Sequence, residues 1–558
     1  IWQVNLDGSD LKQITFGDSY KTRGVADYIA QEEMGRANGF WWSLDSKFVA
    51  FSEVDNSQIP AFKISHLADN NHQDEIHYYP FVGSENPIVR IGIVNTDSLE
   101  CNWIDTSGYE YIPRLNWVKS NQILVQLQNR EQTKLDVNLY NNSGELLGTI
   151  IKEQSDFWIN IHEAFQNLPY GKYVWTSEKT GFRHLYGLDL ISRELNQITT
   201  GDWQIDSFEG FSKDTNELFF TATKDSELEK HLYRINKEGV IDPISLNRPG
   251  IHNVKINCDQ NIYIDVNHAL SQQPRVELRN LKTDELIKDI SPDQDVRIEQ
   301  FGLTPPKLLK IPHEKSEYLN SAVFYPDENE FGPGPYPTVV YVYGGPHVQL
   351  VTDSWSLTAN LRLQYLKDQG FLVAVVDNHG SNRRGVSFES SIKNKLGEIE
   401  VNDQKLMLDW LIDQGLTDEE RVGVFGWSYG GYMTLMCMAK YPELFRVGAA
   451  GAPVVNWQLY DTHYTERYLG LLEDNYENYD LSNVTTYAKN LGGELMIIHG
   501  MIDENVHFTH SAELIQSLIE NDKSYDLLAF PKERHMPRGQ SDRVYMEKRM
   551  MDFLISKI

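Results

Sequence analysis

The sequence predicts a multidomain protein: an all-β domain of small repeated sheets over residues 1–303, then an α/β domain with a doubly wound, mostly parallel sheet over residues 304–558. Three observations carry this expectation. The chain has 558 residues, more than one core ordinarily encloses. Its first half repeats itself with a period near 46 residues. Its second half alternates continuous apolar runs with helix-like stretches, which is the grammar of a parallel sheet covered on both faces.

Composition narrows the functional classes. A hydrophobic content of 41% with 23% charged residues describes a globular chain rather than a disordered one. The formal net charge of −29 argues against nucleic acid or an anionic membrane surface as partner, because phosphate binding needs Lys and Arg. No run approaches the ~20 apolar residues of a membrane span. Cys101, Cys258 and Cys437 are far apart and odd in number, so they read as free thiols and not as a disulfide framework or zinc site. No cofactor is implied, and metal ligation is not expected, since ligand clusters such as H-E-x-x-H are missing. The opening "IWQVNLDGSDLKQIT" has no initiator Met and reads as the interior of a folded domain. A truncated or processed N-terminus is the expectation, which leaves the compartment, periplasmic or cytoplasmic, open.

Residues 1–303 are rich in Tyr, Phe, Trp, Ile, Asp and Asn, in short runs between polar turns. "HLY" occurs at 184–186 and again at 231–233, 47 residues on. "QITFGD" (13–18) matches "QITTGD" (197–202), 184 residues apart, or four periods of 46. "WSLDSKFVAF" (42–51) echoes "FSKDTNELFF" (211–220). This period suits four-stranded propeller blades, each of which buries its faces only by stacking on its neighbours. Division gives about six and a half blades, a fraction that points to blades before Ile1. Two β-sandwiches are the alternative. The stretch "ADYIAQEEMGRANGFWW" (26–42) interrupts the pattern with helix formers and two adjacent acids, Glu32 and Glu33. On composition alone those acids read as a solvated helix face.

In the second half, "PTVVYVYGG" (337–345), "GFLVAVVDNHG" (370–380), "ERVGVFGWS" (420–428) and "GGELMIIHG" (492–500) are apolar runs that end in turn residues. "SLTANLRLQYLKDQ", "EVNDQKLMLDWLIDQG" and "YMTLMCMAKYPELF" supply the helices between them. Ser428 lies between the strand "VGVFG" and the helix "GGYMTLMCMAK", flanked by Gly426 and Gly430 in the pattern G-x-S-x-G. That strand–turn–helix context defines a nucleophile elbow of the α/β-hydrolase fold. Its partners should follow in the order acid, then histidine. Asp503 stands just past the strand 495–499, and His535 just past "DLLAF". His499 falls inside a strand and His507 lies four residues after Asp503, so neither suits the base position. His535 would take the Ser428 proton, Asp503 would hold the imidazole, and the N–H of Tyr429 would contribute to an oxyanion hole.

"GWSYGGYMT", "APVVNWQLYDTHYTERYLG", "IDENVHF" and "ERH", combined with a propeller, resemble the dipeptidyl peptidase IV branch of the prolyl oligopeptidase family. "IAQEEMGRANGFWW" and "VVDNHGSNRRGVSFESSIKNKLGEIEVNDQ" look closest to its dipeptidyl peptidase 8 and 9 type and bacterial relatives. The resemblance implies Ser428, Asp503 and His535 as the triad and the Tyr343 hydroxyl as a second oxyanion donor. It implies a proline pocket of Val454, Trp457, Tyr460, Tyr464 and Val506, with Asn505 holding a substrate carbonyl. Position alone would leave Tyr343 and those aromatics as ordinary core residues. It also implies that Glu32 and Glu33 receive the cationic amino terminus of the substrate, which reverses the solvated-face reading. The family's carbonyl-holding propeller arginine has no counterpart here beyond the weak candidate Arg36.

The expected activity is therefore a serine exopeptidase that releases X-Pro, and more slowly X-Ala, from peptides with a free N-terminus. A homodimer is the implied assembly. The rival readings are a prolyl tripeptidyl peptidase or oligopeptidase and, more remotely, a non-catalytic binding protein on the same fold.

Overall fold

The computed structural model describes residues 1–18, 21–68, 74–162, 165–168, 172–293 and 296–558. Five sheets of the N-terminal half carry a four-stranded antiparallel ladder in chain order. The first is built from Phe40–Trp42, Phe48–Asp55, Ile88–Asn95 and Cys101–Ile104, and Lys21–Arg23 also pairs with its second strand. The last is built from Ile251–Asn257, Ile262–Ala269, Gln272–Asn280 and Leu286–Asp289. Trp2–Gln3 and Lys12–Gln13 form a separate two-stranded sheet.

The sequence repeats fall on equivalent places in these blades. Both "HLY" segments open the third strand of a blade, His184–Asp189 and His231–Ile235. In each, the buried histidine meets a hydroxyl just past the fourth strand: His184 Nδ1 lies 3.1 Å from Thr199 Oγ1, and His231 Nδ1 lies 3.3 Å from Ser245 Oγ. The same hydroxyls accept the backbone N–H of Leu185 and Leu232. The repeat therefore records a hydrogen-bonded lock between outer strands. Successive blades share apolar layers: Leu124, Val137 and Ile151 of one pack with Tyr173, Trp175 and Tyr186 of the next.

Among the described residues the expected six and a half blades become five, with the Trp2–Gln3/Lys12–Gln13 pair beside them. The reason is that not all of the first 303 residues are blade. Residues 26–36 carry a short helix, Tyr28–Glu32, capped by Asp27. Beyond Asp55 the chain leaves the first sheet, and Ala61–Ser65 pairs with Asp74–Tyr78 as a separate hairpin.

The C-terminal half contains an eight-stranded sheet. Its spatial order is Lys307–His313, Glu317–Phe324, Leu372–Val376, Tyr336–Tyr341, Thr417–Trp427, Val447–Gly451, Glu494–Gly500 and Asp526–Phe530. The first two strands are antiparallel, and the pairs from Leu372–Val376 onward are parallel. Alternation along each central strand feeds two cores. Val340, Leu372, Ala374 and Ile497 face the helices Ile399–Asp413, Tyr429–Lys440 and Thr509–Glu520. Val339, Val373, Val375 and Ile498 face Leu361–Asp368 and Gln540–Lys557. The parallel strands end at one edge, where the connecting loops gather. Among the described residues no helix is long and apolar enough to cross a membrane.

The strand Val447–Gly451, "VGAAG", has no bulky residue to announce it, and packing explains why. A Cβ on Gly448 would sit 2.1 Å from Met438 Sδ, and one on Gly451 would sit 2.0 Å from the Trp427 ring. Small residues there let the helix Tyr429–Lys440 and the Trp427 side chain close over the sheet.

Candidate active site

Ser428 is the hinge between the strand Thr417–Trp427 and the helix Tyr429–Lys440, with φ 59° and ψ −118°. A positive φ at a residue with a side chain costs about 1–3 kcal/mol, so the surrounding structure must hold it. Ser428 N donates to Gly451 O at 2.8 Å. The flanking glycines are dictated by space. A Cβ on Gly426 or on Gly430 would lie 2.3 Å from Val342 O.

Asp503 follows the strand Glu494–Gly500 and is 1% exposed. Its Oδ1 accepts the N–H groups of Asn505 and Val506, both at 2.9 Å. Its Oδ2 lies 2.8 Å from His535 Nδ1 and 3.2 Å from His499 Nε2. Burial alone would raise the carboxyl, but hydrogen bonds and charge from His499 and His535 hold it well below the ordinary range. His535, past the strand Asp526–Phe530, thus directs Nδ1–H at the acid and leaves Nε2 as the acceptor. Burial opposes its cation, yet the Asp503 hydrogen bond and charge raise the imidazole above its ordinary value, with Glu32 and Glu504 adding to this. Trp427 Nε1 donates to His535 O at 2.8 Å, which ties the base loop to the residue before Ser428.

The two rival histidines have other placements. His499 Nε2 also meets Val506 O at 2.8 Å and its Nδ1 meets Ser511 Oγ at 2.7 Å, so this fully buried ring braces Asp503. Sequence reasoning set it aside and missed that contact. His507 stacks on Phe62 at 3.8 Å between centroids, and burial lowers its pKa to about 4.

Asn505 joins the acid loop to the propeller side. Its Nδ2 donates to Glu32 Oε1 at 2.5 Å, and its Oδ1 accepts the Tyr460 hydroxyl at 2.7 Å. Glu32 ends the helix Tyr28–Glu32 and Glu33 caps it, so one turn sets both carboxyls. Burial raises the Glu32 carboxyl; the charge of His535 pulls it back, and Glu504 and Asp503 push it further up. Burial, with Asp461 and Glu32 as neighbouring anions, raises Glu33 well above the usual carboxylate range. Asp461 faces Glu33 and is itself pushed up to about 7, again chiefly by burial. Its other task is local: Oδ1 caps the helix Thr462–Leu469 through Tyr464 N at 2.9 Å. That third acid was missed because an N-cap role accounts for an Asp before a helix.

Trp457, Tyr460 and Tyr464 form three sides of an aromatic box. Trp457 and Tyr464 stack at 5.8 Å and 12°, and Tyr460 stands edge-on to both. Val454 and Val506 are buried beside them in the same apolar layer. The Tyr343 ring lies 6.0 Å from that of Tyr429, and burial, with Glu33 nearby, pushes its hydroxyl up to about 12.

Arg36 does not join the cleft. It is 8% exposed and donates to Asn38 O and Ile112 O, with Asp27 at 4.0 Å. The cation facing Glu33 is instead Arg467, which donates to Gln132 Oε1 and Asn160 Oδ1. Its buried Nε has no partner among the described residues. Arg467 stands in the quoted segment "YTERYLG", and no feature of that segment singled it out.

Residues 1–274 match the family model described as the dipeptidyl peptidase IV N-terminal region, and residues 355–558 match that of the prolyl oligopeptidase family. Human dipeptidyl peptidase 8 is 29% identical, with 99% of this chain and 72% of the relative aligned. Dipeptidyl peptidase 4 of Felis catus is 26% identical over 92% of this chain and 71% of the relative. The crystal structure of Porphyromonas gingivalis dipeptidyl peptidase 4 superposes with a TM-score of 0.91 at 25% identity, covering 99% of this chain and 79% of that one. With a propeller, an α/β-hydrolase sheet and an elbow serine all in place, this chain is a serine peptidase that belongs to the dipeptidyl peptidase IV branch of the prolyl oligopeptidase family.

Proposed function

We propose that this serine peptidase releases X-Pro dipeptides, and X-Ala dipeptides more slowly, from peptides with a free amino terminus. The supporting observation is the Asn505 bridge. It links Glu32 through Asn505 to Asp503, which supports a reading in which an acid for the substrate amine is tied to the hydrolase loop. A dipeptide spans two residues at roughly 3.3–3.6 Å each, so this reading requires the Glu32 and Glu33 carboxyls to stand that far from the Ser428 hydroxyl.

In this reading the substrate ammonium donates to Glu32 and Glu33, and the proline ring enters the box of Trp457, Tyr460 and Tyr464. Asn505 is the donor offered to a substrate carbonyl. His535 Nε2 takes the Ser428 hydroxyl proton as Oγ bonds to the carbonyl carbon of the second residue. The oxyanion is held by Tyr429 N–H and the Tyr343 hydroxyl. Asp503 stabilises the imidazolium, which then protonates the leaving amine as the C–N bond breaks. Water, deprotonated by the same imidazole, attacks the dipeptidyl ester, and Ser428 recovers its proton as the dipeptide leaves.

Turnover of Gly-Pro, Ala-Ala-Pro and acetyl-Gly-Pro chromogenic substrates tests the reading. Gly-Pro is expected to be strongly preferred. Preference for the acetylated compound overturns amine recognition, and preference for Ala-Ala-Pro moves the ruler to three residues. A fluorophosphonate probe that leaves Ser428 unlabelled overturns the nucleophile.

A further inference from the structure

The hairpin Ala61–Ser65/Asp74–Tyr78 lies outside the blade ladder, and its side chains reach both loops that carry Asp503 and His535. On the base side, Arg534 Nη2 donates to Glu75 Oε2 at 2.8 Å, and Arg534 is the residue before His535. The same carboxylate accepts from His66 Nε2 at 3.1 Å and His77 Nε2 at 2.6 Å. On the acid side, Phe62 stacks on His507 at 24°. The Tyr79 hydroxyl just past the hairpin donates to Asn505 O at 3.1 Å.

We propose that this hairpin is a brace for the catalytic acid and base, and that Glu75 is a positioning residue that sets His535 through Arg534. The inference rests on the triad described under the proposed function. Burial opposes ionisation of Glu75, but hydrogen bonds from Arg534, His66 and His77 hold its carboxyl at about 2, so it remains an anion at working pH. Arg534 also has Glu504 Oε2 at 3.4 Å, on the acid loop. One guanidinium thus spans the hairpin, the acid loop and the base loop. A half-exposed ion pair adds only about 0–1 kcal/mol to stability. Its consequence should therefore appear in geometry, and displacement of a reacting group by 1 Å costs up to ~10²-fold in rate.

The test is a double-variant cycle with Glu75→Ala, Arg534→Ala and the pair, assayed on Gly-Pro anilide, with Glu75→Gln as the shape-preserving control and Ser428→Ala as the reference. Each single alanine variant is expected to lower kcat about 5- to 10-fold, an effect of a sub-ångström displacement, with KM within about twofold. The double variant should be no slower than the slower single. Glu75→Gln, whose single amide oxygen can still accept from Arg534 while its NH2 turns to the His77 imidazole, should recover part of the loss at unchanged Tm. Unchanged kcat in both Glu75 variants, or losses that multiply in the double variant, overturns the brace. Ser428→Ala separates the two ideas. If it is inactive while the Glu75 variants are fully active, only the brace fails; if it keeps turnover, the triad fails and the brace with it.

Discussion

Asn505 and Glu32 are 473 positions apart in the chain, yet Asn505 Nδ2 donates to Glu32 Oε1 at 2.5 Å. The same residue's backbone N–H is held by Asp503, so Glu32 on the propeller helix and Asp503 on the hydrolase loop meet at one residue, the first through its side chain and the second through its main chain. Asn505→Ala removes the contacts to Glu32 and Tyr460 and keeps the N–H to Asp503, so it should raise KM for dipeptide substrates and lower kcat only as far as the loosened acid loop shifts. An effect on KM alone, measured on Gly-Pro anilide, would show that the bridge serves binding without touching the chemistry.

Ser428→Ala should lose roughly 10⁴-fold or more in turnover. The fold should persist, because Ser428 N, not its hydroxyl, makes the bond to Gly451 O. Far-ultraviolet circular dichroism and Tm should match the parent, and a variant with normal turnover would remove Ser428 from the mechanism.

Glu32→Gln and Glu33→Gln address the amino terminus of the substrate. Each charge-assisted hydrogen bond to an ammonium is worth about 1.5–3 kcal/mol, or roughly one to two powers of ten. Both variants should lose kcat/KM on Gly-Pro anilide by that factor while hydrolysing a simple acyl ester nearly as before. Equal losses on both substrates would count against amine recognition.

Most of the fold was legible because it follows from patterns. Continuous apolar runs ending in turn residues marked the strands of the sheet buried on both faces, and the 46-residue repeat marked equivalent strands of the blades. Ser428, Asp503 and His535 were legible as candidates because each follows a strand on one sheet edge, and the structure pairs two of them, His535 and Asp503. What stayed hidden has local physical causes. "VGAAG" lacks bulk because Met438 and Trp427 occupy the space above it. His499 reads as a strand residue, and only the folded loop turns Asp503 back onto it. The blade count ran high because the hairpin inserted after Phe48–Asp55 has strand composition without belonging to the ladder. Glu32 and Glu33 read as a solvated face on composition, and only the resemblance gave them a role; the contact of Glu32 with Asn505, 473 positions away, is a long-range effect that composition does not carry.

Substrate affinity should depend on pH through the acid pocket. Asp461 is pushed up to about 7, chiefly by burial, and its neighbour Glu33 is raised well above the usual range. Below about 7 the pocket gains protons, and a neutral carboxyl no longer attracts an ammonium. Above about 8 the substrate's own amino group, with a pKa near 7.7–8.0, loses its charge. KM for Gly-Pro anilide should therefore pass through a minimum between these limits and rise up to tenfold per pH unit on the acid side. An acyl ester without an amine should show no such rise, and a flat KM profile for the anilide would sever Glu33 and Asp461 from binding.

A final prediction concerns the support beneath the elbow. Tyr429 follows the nucleophile, and its hydroxyl donates to Glu400 Oε1 at 2.7 Å. Burial pushes the Glu400 carboxyl up to about 7, the hydrogen bond from Tyr429 only partly offsetting it. In the unfolded chain a glutamate titrates near 4.3. Between about 4.3 and 7 the folded protein therefore holds a proton that the unfolded chain has released, and stability falls as pH rises through that window. The fall ends near 7, where both states are ionised. Glu400→Gln has no such titration. Its amide carries a constant penalty, because the position of Oε2 offers no hydrogen-bond partner among the described residues. The Tm of the variant minus that of the parent should thus climb from pH 5 to 7 and level off above, by a few kcal/mol in all at ~1.4 kcal/mol per unit of pKa shift. For a domain of 150–250 residues this is about 2–4 °C per kcal/mol. A Tm difference that stays constant from pH 5 to 8 would mean that Glu400 is already ionised throughout, and that the floor of the elbow is a buried anion instead of a proton store.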